Sequence, residues 1–99
     1  METFKKNSKG EFGIRKDPEA VLDYTFDWTD YLVAIGDTIS SYEITVTGGV
    51  VIDSHSRQDG IITVWASGGT VGTPVKLKCR IVTAGNRTDE FSVNLYIKN

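Results

Sequence analysis

Cysteine and histidine are almost missing from this chain. Cys79 is the only cysteine, so no internal disulfide can form, and export to an oxidising compartment is not implied. His55 is the only histidine, so the paired imidazoles that a zinc site favours are not available. No apolar run approaches the roughly 18 residues a membrane span requires. The opening METFKKNSKGEFG lacks the apolar middle of a secretory signal. A strong excess of either charge is also lacking. The net charge is −2, which disfavours a dedicated nucleic-acid binder.

What is present fits one soluble globular domain: 39% hydrophobic and 24% charged residues in 99. A chain this short buries about two-thirds of its unfolded surface, enough for one core. Charge is unevenly spread. Residues 1–16 carry Lys5, Lys6, Lys9, Arg15 and Lys16 against Glu2 and Glu11, a balance of +3, which leaves −5 on the remainder. This reads as a flexible basic N-terminal arm over 1–16, leading an acidic domain over 17–99.

Asp17-Pro18 closes the arm, because proline fixes its own backbone and pushes its predecessor to extended geometry. Leu22, Tyr24, Phe26 and Trp28 then alternate with Asp23, Thr25 and Asp27, the period of a half-buried strand. One turn of helix follows over 29–34. A second strand over 38–47 points Tyr42, Ile44 and Val46 inward, with Ile39 out of phase and hence a bulge near Ser40-Ser41. Val50 to Ser54 makes a third strand, and 57–60 a turn. Ile61 to Ser67 makes a fourth whose two parities are both apolar, as in a strand buried on both sides. Val75, Leu77, Cys79 and Ile81, then Phe91, Val93, Leu95 and Ile97, form two clean strands around Ala84-Gly85-Asn86-Arg87, a hairpin.

These elements predict an all-β fold, an immunoglobulin-like antiparallel β-sandwich of about seven strands, with a small β-barrel as the alternative. Cys79 sits where antibody domains carry a disulfide cysteine but has no mate, and Leu77 stands where they have a tyrosine, so an antibody relative is not implied.

Candidate chemistry is thin. Asp23 and Asp27 share a strand face but lie about 13 Å apart, too far to share a metal or a proton. Asp30 and Asp37 are left as a weak cation site at one end. A Cys79–His55 pair and Ser54-His55-Ser56 lack the context of a nucleophile. Gly68-Gly69-Thr70-Val71-Gly72 is glycine-rich without the Lys-Ser/Thr of a phosphate loop. Asn86-Arg87-Thr88 matches a glycosylation acceptor only in form. Trp28 and Trp65 are expected as core anchors. No residue is put forward as catalytic, metal-binding or cofactor-binding, and one histidine, an unpaired cysteine and no close carboxylates disfavour an enzyme. Candidate partner-binding residues are Lys5, Lys6, Lys9, Arg15 and Lys16 of the arm and the row Lys76, Lys78 and Arg80, with the Gly68–Pro74 loop as a further surface.

Two segments together, KDPEAVLDYTFDWTDYL with GDTI (residues 16–32 and 36–39) and VWASGGTVGTPVKLKCRIVTAGNRTDE (residues 64–90), resemble a family of short proteins encoded among the structural genes of tailed bacteriophages, the fiber–tail or head–tail adaptor-like proteins. The likeness runs from about Lys16 to Ile97, and the basic leader lies outside it. It implies a small immunoglobulin-like virion component made in the bacterial cytoplasm, without enzymatic activity or cofactor. Such a protein joins or decorates capsid, neck or tail parts. Its partners would be other virion proteins and copies of itself, with no nucleic acid, membrane or small-molecule substrate. The alternative is a carbohydrate- or host-surface-binding adhesion module, which needs an exposed aromatic platform at Trp65 or Tyr96.

Overall fold

A computed structural model describes residues 2–5 and 12–98. In chain order the elements are β1 (Glu2–Lys5), β2 (Phe12–Lys16), β3 (Leu22–Asp27), α1 (Thr29–Ile35), β4 (Ile39–Val46), β5 (Val50–Gln58), β6 (Ile61–Gly68), β7 (Pro74–Thr83) and β8 (Thr88–Ile97). They form two four-stranded sheets, β1-β3-β6-β5 and β2-β8-β7-β4, that remain open at their edges. The fold is an all-β sandwich, and the barrel alternative falls away. The sheets are mixed, not purely antiparallel: β1 pairs with β3 and β2 with β8 in parallel, and the other pairs are antiparallel.

Those two parallel strands redraw the N-terminal boundary. Glu2–Lys5 and Phe12–Lys16 are edge strands, one in each sheet, so the described parts of residues 1–16 belong to the sandwich. Phe4 explains the anchoring of β1. Its ring is buried and lies 6.4 Å from Tyr24 and 6.3 Å from Phe26, centroid to centroid. Lys6 and Lys9 lie outside the described residues.

The core follows the alternation. Tyr24, Phe26 and Trp28 face Leu77, Cys79, Ile81, Phe91, Val93 and Leu95 of the second sheet. Phe91 packs against both Phe26 and Trp28, at 5.2 and 4.8 Å between centroids. Each such ring withdrawn from water contributes on the order of 1.5–3 kcal/mol. On β6 the structure chooses one parity. Ile62, Val64 and Ala66 are buried, and Ile61 and Trp65 are exposed, so β6 is dry on one face only and Trp65 is not a core anchor.

Local signals account for the breaks. Asp17 accepts the Glu19 amide at 2.8 Å and its carbonyl accepts that of Ala20 at 3.1 Å, turning the chain at Pro18. Helix α1 ends on Gly36 in the left-handed region (φ 63), with the Gly36 and Asp37 amides donating to Val33 and Leu32 carbonyls. The register of β4 slips between Ile39 and Ser41, where the sequence places a bulge. Strand β5 runs four residues past Ser54 to Gln58. That extension holds no apolar residue, and its pairing with β6 comes from the backbone ladder.

Candidate interaction surfaces

The row Lys76, Lys78 and Arg80 projects from β7 onto the outer face of the second sheet. Its environment changes along the strand. Arg80 stands in register between Glu43 of β4 and Glu90 of β8. Lys78 Nζ lies 3.5 Å from a Glu90 carboxylate oxygen. Acidic neighbours therefore offset the charge at that end. At the other end Lys76 stands opposite Asn94, and the next exposed residue on β8 is Tyr96.

Strand β2 brings Arg15 directly beside Tyr96. Tyr96 is 53% exposed. It lies over Gly13, where a Cβ would stand 2.8 Å from the ring edge, so glycine lets the phenol cover the β2 backbone. A concavity of about 230 Å³ adjoins it, lined by Gly72, Thr73, Pro74, Tyr96, Ile97 and Lys98. The Gly68–Pro74 loop thus meets Arg15, Lys76, Tyr96 and Lys98 in one basic, aromatic patch. Sequence reasoning named the loop, Arg15 and Lys76 separately, and missed Lys98 and the central tyrosine as parts of this surface. The parallel β2–β8 pairing that unites them leaves no turn signal to read.

Lys16 does not join that surface. It is 1% exposed, and its ammonium donates to the carbonyls of Asp17 (3.0 Å), Ala20 (2.7 Å) and Gly68 (2.8 Å). Burial pulls its pKa below the usual lysine value, against the raising influence of Asp17 and Asp53. It ties the β2–β3 turn to the end of β6. Lys5 is exposed and lies 3.7 Å from Asp30.

The opposite end of the sandwich holds the larger concavity, about 380 Å³, between α1, the β5–β6 turn and the start of β4. Leu32, Val33 and Ile39 supply its apolar wall, with Arg57, Asp37 and Asp59 at the rim. Asp37 does not converge with Asp30 on a cation. Its carboxylate accepts from the Thr38 amide (2.8 Å) and the Gly85 amide (3.1 Å) and pairs with Arg87 (3.4 Å). Hydrogen bonding from Thr83, then the Thr38 amide, holds its carboxyl below the usual range. Tyr31 is pushed up by burial and by Asp89 beside it. Among the described residues no three histidine, cysteine or acidic side chains are placed to hold a metal.

Cys79 and His55 are kept apart. Cys79 is in the core, its thiol pushed up to about 12 by burial, which outweighs the indole N–H of Trp28. His55 sits on edge strand β5, its Nδ1 2.7 Å from the Tyr42 hydroxyl. No nucleophile and base meet there.

Comparison with curated proteins finds no match. Comparison with protein families matches residues 16–96 to the family described as podophage GP4 fiber-tail adaptor protein gp77. The match opens on the last residue of β2 and runs to the penultimate residue of β8, so it takes in the sandwich from β3 onward. Only β1 and most of β2 precede it. By that match across its core, the chain belongs to the podophage fiber-tail adaptor family and is a structural protein of the phage virion.

Proposed function

We propose that this chain is a non-enzymatic adaptor that joins tail and fibre components, docking through the patch around Tyr96. The observation that carries the reading is the family match over residues 16–96, which hold most of the core. The patch supports it physically. A tyrosine flanked by arginine and lysine is the residue mix enriched where protein partners meet. Arg15, Lys76 and Lys98 give it one sign, which steers an acidic partner into register. Lys78 and Arg80, farther along β7, form the rim of the same patch, and Lys5, on the first sheet, is a separate proposed contact. Strand order supports an immunoglobulin-like relation: β1-β3-β6-β5 against β8-β7-β4 follows the four-plus-three arrangement of such domains, with β2 added. Several copies in the particle would multiply a weak contact, and a rigid sandwich holds the spacing that this requires. Net charge of −2 supports protein partners over nucleic acid.

The test is complementation of a phage lacking this gene. Arg15→Glu with Lys76→Glu and Lys98→Glu is expected to fold, by circular dichroism, yet give particles depleted of fibres in electron micrographs. Particles with normal fibre occupancy would remove the patch from the account.

A further inference from the structure

The outer face of the first sheet carries a second feature, apart from the proposed docking patch. Trp65 is 42% exposed at the middle of β6. Asp23 of β3 is its direct cross-strand neighbour on one side and Ser54 of β5 on the other. Thr63 and Ser67 follow two residues away along β6, on the same face. Thr25 lies diagonally beneath this surface, opposite Thr63. It is 4% exposed, and its hydroxyl has no hydrogen-bond partner, a group this face leaves unsatisfied.

We infer that this face is a saccharide-binding platform, with the Trp65 indole as the stacking surface for one neutral pyranose ring of a glycan. A pyranose has an apolar C–H face and a hydroxyl rim. An indole takes the first, and carboxylate and hydroxyl groups at its margin take the second. The spacing fits: cross-strand neighbours lie about 5 Å from Trp65, on the order of the width of one sugar ring. The surroundings argue against a protein anchor. The residues directly across from the indole are polar, Asp23 and Ser54; of the other exposed apolar side chains, Val51 pairs with Ser67, diagonal to the indole, and Ile61 lies four residues away along β6. Asp23 beside the ring favours neutral over anionic sugars. This site lies on the opposite sheet from the Tyr96 patch, so each can fail without the other.

The experiment uses the full chain and three probes: chitotriose, maltotriose and trigalacturonic acid. Binding is followed by the indole N–H resonance of Trp65 in ¹H–¹⁵N spectra. Trp28 is fully buried and serves as the internal reference. A saturable shift is expected with at least one neutral trisaccharide, at a dissociation constant on the order of millimolar. Trp65→Ala should abolish binding, read then from backbone amides of β3, β5 and β6. Asp23→Asn should weaken it several-fold, and Tyr96→Ala should leave it unchanged. Trigalacturonic acid should bind at least several-fold more weakly than the neutral sugar. No saturable shift with either neutral probe, or a shift that survives Trp65→Ala in a folded variant, overturns the proposal. So does loss of fibre attachment in Trp65→Ala particles with no saccharide response in the wild type, which would make this face a protein contact.

Discussion

Lys16→Met removes an ammonium while keeping most of the aliphatic stem in place. In the folded chain that ammonium serves three carbonyls, at 2.7 to 3.0 Å. A hydrogen bond from a charged donor contributes about 1.5–3 kcal/mol, so the three together are worth several kcal/mol gross. Withdrawing an ammonium from water costs several kcal/mol in return. The lowered pKa of Lys16 shows that this cost is felt. Of the three acceptors, that of Asp17 sits on an exposed turn that water can reach. The net loss is expected at about 2–3 kcal/mol, which for a domain of this size lowers Tm by roughly 10–20 °C. The pH dependence gives an independent reading. The folded pKa lies below the unfolded 10.5, so between those values the unfolded chain binds more protons, and stability rises with pH through that window. Lys16→Met should lack that alkaline rise. Urea melts at neutral and alkaline pH measure both effects. A variant within about 0.5 kcal/mol of wild type at neutral pH, with the alkaline rise intact, would refute the carbonyl knot and return Lys16 to the surface.

Phe4→Ala tests whether β1 is part of the fold. The buried ring between Tyr24 and Phe26 predicts a loss of about 2–4 kcal/mol in urea melts, whereas a dispensable tail predicts none. Cys79 should resist Ellman's reagent in the native protein at pH 8, since its thiol is buried with a pKa of about 12, and react fully in denaturant. Asp37 has a folded pKa below its unfolded 3.8, so its contribution is present above 3.8 and lost as pH falls through the folded value. Asp37→Asn should therefore flatten the acid limb of the stability profile, followed by circular dichroism between pH 2 and 5.

The hairpin β7–β8 was readable because both strands have one wet face, so the period of two appears in the side chains themselves. The bulge at Ile39/Ser41 was readable for the same reason, as a slip of phase. Trp65 was not. Both parities of β6 are apolar, and size alone suggests burying the tryptophan. The neighbouring strand decides otherwise. Tyr24 pairs with Val64 and Phe26 with Ile62, so large rings on β3 are matched by medium side chains on β6. Burying Trp65 would shift β6 by one residue and expose that whole set. Lys16 hid for another reason: one of its three carbonyl partners comes from Gly68, 52 residues away. The patch around Tyr96 was half legible, its charges visible and its assembly not, because it forms only when β2 lies parallel to β8.

The placement of charge and aromatic groups on this sandwich follows from how its edges are closed. Each sheet receives one N-terminal strand, and each of those strands brings basic residues to an outer face otherwise set by later strands: Lys5 beside Asp27 on the first sheet, Arg15 beside Tyr96 on the second. On the first sheet the lysine meets carboxylates, Asp27 and Asp30, and Asp23 leaves the face acidic beside Trp65. On the second sheet the arginine meets a tyrosine and lies on the same side as Lys76, and the face becomes basic. One short segment outside the family match thus gives the two faces different chemistry. A chain cut before Asp17 would lose Arg15 from the proposed docking patch, Phe4 from the core and the Lys16 tie between the β2–β3 turn and β6. Fibre attachment and thermal stability should then fall together, whereas a truly detachable arm would leave the melting temperature unchanged.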